Sequence, residues 1–125
     1  MLERILYAED DTDIQQVAML ALEMVGGFTV KMCNNGLEAI AEVEKFSPQL
    51  LLFDVMMPDM DGPTALEKIR EIDLFKNTPA IFMTAKVQPE EVKKYLDMGA
   101  IGVIAKPFDP MTLASQVRDI WENSQ

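Results

Sequence analysis

Four apolar runs in this 125-residue chain each end on a residue able to do chemistry. Leu50–Phe53 runs into Asp54, Arg4–Ala8 into Glu9-Asp10, Ala80–Met83 into Thr84, and Ile101–Ala105 into Lys106. A carboxylate directly after a buried strand carries a desolvation cost unless a counter-charge meets it. That cost weakens the reading of Asp54 as a mere cap or loop acid, and a carboxylate so placed is a candidate nucleophile, able to attack a phosphoryl group and form an acyl phosphate. Glu9 and Asp10 bring two more anions, and three carboxylates do not sit together cheaply without a cation. An all-oxygen donor set in a chain with no histidine favours a hard divalent ion, Mg²⁺ first, with Mn²⁺ or Ca²⁺ as substitutes. Lys106 supplies a fixed positive charge that can pair with Asp54 at rest and with a phosphoryl oxygen in transfer.

Blander readings exist for each residue type. Asp11, Asp59, Asp61 and Asp109 are read as helix caps or loop acids. Glu9 through Asp13 as a merely acidic helix start explains Asp11 and Asp13 but not Glu9 and Asp10. A lone threonine at a strand end is usually a strand or cap residue, and a lone lysine usually a snorkelling surface group. The position of Lys106, between a buried strand and Pro107, tips the balance toward a functional group, whereas Thr84 gains meaning only jointly with Asp54 and Lys106.

Five strand-like runs alternate with five helical patterns, joined by short connections. The strands are Arg4–Ala8, Phe28–Cys33, Gln49–Phe53, Ala80–Met83 and Ile101–Ala105. Helical spacing of Ile14, Val17, Ala18, Ala21 and Val25 gives the first helix, which Gly26-Gly27 ends. Leu37, Ile40, Ala41, Val43 and Phe46 give the second, capped by Asn34 or Asn35 and stopped by Ser47-Pro48. Pro63 opens a third helix with Ala65, Leu66, Ile69 and Ile72 facing inward. Pro89 opens a fourth, carrying Val92, Tyr95 and Leu96. Asp109-Pro110 caps and starts a fifth, with Leu113, Val117, Ile120 and Trp121 on one stripe. This alternation predicts an α/β fold: a five-stranded parallel sheet, right-handed crossovers and helices on both faces. In such a sheet the ligand edge lies at the carboxyl ends of the strands, where all of the reactive residues fall.

The chain is read as one domain over residues 1–125, large enough for its own core. An apolar share of 49% is that of a globular protein, and charges interrupt every run before it could span a membrane. A net charge of −10 argues against direct nucleic-acid binding. Met1-Leu2-Glu3-Arg4 shows no signal-peptide architecture, and the single Cys33 cannot form an internal disulfide. The expectation is a cytoplasmic protein with no membrane partner. The ten methionines are read mostly as core filler, although Met56, Met57 and Met60 group near the site and offer an adaptable docking patch.

With these residues placed, the chain resembles the receiver domain of two-component response regulators. The resemblance covers essentially all 125 residues. It rests on the ordered set Glu9-Asp10, Asp54 with Met57-Pro58-Asp59-Met60-Asp61-Gly62, Met83-Thr84-Ala85 and Lys106-Pro107-Phe108. The resemblance implies a flavodoxin-like doubly wound sheet of order 2-1-3-4-5. It implies that Asp54 takes a phosphoryl group from the phosphohistidine of a sensor histidine kinase or from a phosphotransfer protein. Asp10, Asp54 and the main-chain oxygen of Met56 would be direct metal ligands, with Glu9 acting through water. Thr84 would bond the phosphoryl group and move with it, and the Lys106-Pro107 bond would be cis. Helix 4, strand 5 and helix 5, Pro89 through Trp121, would receive a downstream protein, although Glu90, Lys93 and Lys94 there also suit a solvated face.

Two features depart from the family pattern. Val103 stands where the family often has a tyrosine or phenylalanine that reorients on activation. The Gly99-Ala100-Ile101-Gly102 turn lacks the acidic pair of many dimerising DNA-binding regulators. By the same resemblance, Met56 and Lys86 stand at positions that in the family influence how fast the acyl phosphate hydrolyses; neither acts as a base on water as an acid or amide would, and the expectation is a lifetime that is not especially short. The function implied is a signalling switch and not an enzyme with a separate substrate, although it catalyses its own phosphorylation and slow self-dephosphorylation. The alternatives are a receiver fragment of a longer regulator or hybrid kinase, an aspartyl-phosphate phosphatase, a flavin binder and an inert docking receiver. The phosphatase wants Asp-x-Asp on its first strand, whereas Asp54-Val55-Met56 lacks it. The flavin binder wants a hydroxyl- or Gly-rich phosphate loop after the first strand, where this chain is acidic and would repel phosphate.

Overall fold

A computed structural model describes residues 1–125. The strands are β1 Arg4–Ala8, β2 Thr29–Cys33, β3 Leu50–Asp54, β4 Ala80–Thr84 and β5 Gly102–Ala105. They form one parallel sheet in the order β2-β1-β3-β4-β5, as expected. The helices are α1 Thr12–Met19, α2 Gly36–Phe46, α3 Gly62–Arg70, α4 Pro89–Asp97 and α5 Leu113–Asn123. None is long and apolar enough to cross a membrane.

The central strands show why the sheet forms. Every residue of β3 and of β4 is buried. Along β3, Leu50 and Leu52 join the core against α1 and α5, while Leu51 and Phe53 join the core against α2, α3 and α4. Each such side chain contributes about 1.5–3 kcal/mol by leaving water. A strand apolar on both faces is stable only between two helical layers, which is the doubly wound arrangement.

Side-chain caps set the helix starts. Asp11 accepts from the N–H groups of Asp13 and Ile14, Asn35 from Glu38, and Asp61 from Thr64. Asn35, not Asn34, is thus the α2 cap. Asp59 lies in the loop with φ of 69°. Pro63 and Pro89 each occupy a first helical turn.

Several expectations need correction. α1 passes directly into a π-helical segment, Leu20–Val25. Its inward stripe is Ala18, Ala21 and Leu22, while Val17 and Val25 are exposed. The wider π winding carries Val25 off the stripe. α2 buries the small face Gly36, Ala39 and Val43 and leaves Leu37 and Ala41 outside. In α4, Tyr95 is buried, its ring 5.3 Å from that of Phe82, but Leu96 is exposed. Asp109-Pro110 does not start α5. Asp109 caps a separate turn through the Met111 N–H, and regular helix begins at Leu113. A 3₁₀ turn at Asp73–Phe75 had no sequence signal. Five of the ten methionines (Met1, Met24, Met56, Met98 and Met111) are exposed, so core filling accounts for only half of them. Met57 is buried, which breaks up the Met56, Met57 and Met60 patch.

Gly62 joins fold to site. Its N–H donates to the Val55 carbonyl at 3.0 Å. A Cβ there would collide with the main-chain oxygen of Asp54 and lie 3.3 Å from the Phe53 Cβ. α3 can start beneath the end of β3 only because this residue has no side chain. Gly62→Ala is expected to cost about 1–3 kcal/mol, the range for overpacking, read as a lower urea midpoint at unchanged slope. A midpoint equal to that of the unaltered protein would show that the contact is not tight.

Candidate functional site

The sheet ladder continues one step beyond the strands and fixes the backbone of the site. Glu9 N–H donates to Cys33 O at 3.0 Å, Val55 N–H to Met83 O at 3.0 Å, and Lys106 N–H to Thr84 O at 2.9 Å. Ala8 is level with Phe53 and Thr84 with Ala105. Glu9, Asp54, Thr84 and Lys106 therefore share one edge, on neighbouring strands or directly after them. They line a cavity of about 310 Å³ together with Asp10, Met56, Ala85 and Lys86. Every residue expected at the site is brought together here. The Lys106-Pro107 bond is cis, as expected.

Three of the polar groups are buried: Glu9 is 1% exposed, Asp54 5% and Thr84 6%. The Lys106 ammonium lies 3.1 Å from Asp54 Oδ2, as anticipated. It also lies 2.8 Å from Glu9 Oε1, which was not anticipated. The other Glu9 oxygen accepts from the Asp11 N–H at 3.1 Å. Both oxygens of Glu9 are thus engaged within the protein, in keeping with a residue that would meet a metal only through water.

The electrostatics follow from burial. Burial raises the Asp54 carboxyl above its ordinary value and Asp10 adds to the rise, although Lys106 and the Met56 N–H pull the other way. Burial likewise raises Glu9 despite its hydrogen bonds from Lys106 and Asp11. Burial pulls the Lys106 ammonium down, but the Glu9 hydrogen bond and the Asp54 charge outweigh it, and its net shift is upward. Tyr7, on β1 beneath the site, is driven well above its usual value by burial and then by Glu9 and Asp54.

Carboxylate oxygens of Glu9, Asp10 and Asp54 lie within 4.8 Å of one another. Hard oxygen donors, converging and short of positive charge, are a set that suits a small divalent cation. Thr84 Oγ1 accepts from the Lys86 N–H at 3.1 Å, which leaves the hydroxyl proton free to donate into the cavity. Gln15 also bears on the site, because its carboxamide donates to the main-chain oxygen of Glu9. The sequence offered no signal for it: a polar residue four positions into a helix is ordinary.

The comparisons agree with this geometry. A profile described as "Response regulator receiver domain" matches residues 5–118. The probable transcriptional regulator ycf29 of Porphyra purpurea is 36% identical over 93% of this chain and 55% of its own length. The transcriptional regulatory protein TrcR of Mycobacterium tuberculosis is 32% identical over 97% of this chain and 46% of its own. The chain spans about half the length of the curated relatives it matches. Among solved structures, the chemotaxis protein CheY4 of Vibrio cholerae superposes with a TM-score of 0.87 at 28% identity, over 96% of this chain and 99% of that one. A CheY-like receiver domain protein of Methanospirillum hungatei gives a TM-score of 0.82 at 31% identity, over 99% and 98%. With a match this long and the acids, hydroxyl and lysine gathered at one sheet edge, the chain belongs to the response regulator receiver domains of two-component systems.

Proposed function

We propose that this domain is a phosphorylation switch with Asp54 as the phosphoacceptor. The observation that carries the reading is the placement of Asp54: buried, 3.1 Å from Lys106, and in one cavity with Glu9, Asp10 and Thr84. An Asp54 oxygen attacks the phosphorus of a phosphohistidine on a sensor kinase or phosphotransfer protein. The O–P bond forms, the P–N bond breaks, and the imidazole leaves with the electron pair. Lys106 is placed to neutralise phosphoryl oxygens, and Thr84 to donate to one. Asp10, Asp54 and the main-chain oxygen of Met56 would hold Mg²⁺, or Mn²⁺ in its place, with Glu9 behind a water. The bound ion supplies positive charge for phosphoryl oxygens in transfer.

The domain acts as a switch and not as an enzyme with a separate substrate, and it works in the cytoplasm. Its dianionic product draws on Thr84 and Lys106 and thereby biases two conformations. α4, β5 and α5 are the proposed surface for a downstream protein. On that surface Lys93 is paired with Asp97 at 2.7 Å, and Lys94 lies 5.7 Å from the Tyr95 ring centroid.

Acetyl phosphate with Mg²⁺ is expected to add one phosphoryl mass in intact-protein mass spectrometry. Asp54→Asn or chelation of the metal is expected to abolish the gain. Loading of Asp54→Asn to the wild-type extent would place the acceptor elsewhere, and steady turnover of a phosphate ester would support a phosphatase.

The charge balance gives a second expectation. Glu9 and Asp54 bind protons more tightly folded than unfolded, where carboxyls titrate near about 4. From about pH 4 up through their folded values the native state holds more protons, so these groups lower stability as pH rises. Lys106 works the other way, stabilising below about 10.5 and losing that effect only above its raised value. Asp54→Asn is therefore expected to gain on the order of 1 kcal/mol at pH 7 without metal, and its advantage should shrink toward pH 4. Urea unfolding in chelator across that range measures it. A variant less stable at pH 7 than at pH 4, relative to the unaltered protein, would refute the charge account.

A further inference from the structure

We propose that Gln15 is a positioning residue for the acidic loop: its carboxamide ties the Glu9 main-chain oxygen to Asn34 and so sets the affinity of the site for a divalent cation. The proposal rests on the reading of Glu9, Asp10 and Asp54 as a cation site.

The hydrogen bonds run in one direction. The Glu38 carboxylate accepts only, so Asn34 presents its amide nitrogen there, at 3.1 and 3.2 Å, and its main-chain N–H at 2.9 Å. That turns Asn34 Oδ1 toward Gln15, whose Nε2 donates to it at 2.8 Å. The same Nε2 donates to the main-chain oxygen of Glu9. The orientation of the Gln15 amide is thus fixed from the Glu38 end, with no freedom to flip.

Glu9 is held at every polar atom. Its N–H goes to Cys33, its two carboxylate oxygens to Lys106 and Asp11, and its main-chain oxygen to Gln15. Of these, only the Gln15 contact fixes the plane of the peptide that leads into Asp10. Glu9 is 1% exposed. Loss of the Gln15 donor leaves a buried carbonyl to find another partner, and the peptide must turn to find one. Rotation of that peptide moves Asp10 relative to Asp54, and the spacing of their oxygens is what a small cation senses. Outer partners of metal ligands act in this way.

Gln15→Met keeps length and helix propensity but removes the donor. Mg²⁺ titration by calorimetry is expected to show affinity weakened about tenfold. Gln15→Glu, which sets a carboxylate against two oxygen acceptors, is expected to weaken it further. In acetyl phosphate loading, the Mg²⁺ concentration for half-maximal rate should rise in step while the rate at saturating Mg²⁺ stays near that of the unaltered protein. Asn34→Ala should give a smaller loss, and adding it to Gln15→Met should change little. Unchanged Mg²⁺ affinity in Gln15→Met, or a fall in the saturating rate at unchanged affinity, would overturn the proposal. Should the unaltered protein take no phosphoryl group at any Mg²⁺ concentration, the switch reading fails, while the calorimetric order of the variants still decides the role of Gln15.

Discussion

One ammonium group against two buried carboxylates is the constraint from which the rest of the structure follows. Lys106 reaches Glu9 at 2.8 Å and Asp54 at 3.1 Å, and it is the only ammonium within ion-pair distance of either. Asp10 stands beside them with its oxygens in range of the same point. In water such a cluster would disperse. Here it cannot, because each member is fixed by backbone that belongs to the sheet. Burial raises both carboxyls despite the lysine, so the pairing does not fully offset the desolvation. The site keeps an unmet demand for positive charge, which is the condition a cation-assisted phosphoryl acceptor needs.

The fold is the device that enforces this. The three central strands β1, β3 and β4 and the outer strand β5 end at a common edge, and the ladder runs past them to Glu9, Val55 and Lys106. Parallel pairing puts all carboxyl ends together. An antiparallel sheet would scatter the same residues to both edges. Gly62 adds a local requirement, since α3 must begin against the Asp54 carbonyl to close the loop below the site. Stability held in the apolar layers thus sustains an arrangement that is unfavourable by itself.

Much of this was legible in the sequence because the signals were of a kind that sequence carries. Apolar runs of strand length, Pro and Gly punctuation and Asx caps depend on near neighbours, and they placed the strands to within a residue. The acids, Thr84 and Lys106 were legible because each follows such a run. What escaped depends on geometry between elements. Leu22, and not Val25, faces the core because α1 widens into a π segment, and no local residue announces that. α2 buries Ala39 and Val43 and packs Ile40 and Phe46 against the same core, while Leu37 at the start of the helix stays exposed. The Lys106–Glu9 pair joins residues 97 apart in sequence, and the Gln15–Asn34 bond joins α1 to the loop after β2. Neither leaves a trace in spacing.

Val103 constrains how a switch of this kind would work in this chain. A rotating aromatic ring is one way to carry a change from the carboxyl end of β4 to the helices. Here the position holds a valine, which is stiff at χ1 and packs with the residues under α2, α3 and α4. A signal arising at Asp54 must then leave through groups that touch the cavity and also belong to the α4–β5 side. Thr84 meets that description, since its hydroxyl accepts from the Lys86 N–H at the head of the loop into α4. Thr84 can donate its proton to a phosphoryl oxygen while keeping this bond, so a displacement of its hydroxyl toward the cavity draws the Lys86 N–H and the loop ahead of Pro89 with it. Lys106 meets it as well, because turning from Glu9 to a phosphoryl oxygen pulls on the segment that follows β5. Both routes run through side chains that line the cavity, a buried threonine and a part-buried lysine. In a switch of the kind proposed, the groups free to move are therefore those of the loops at one sheet edge, above a sheet whose central strands are fully packed.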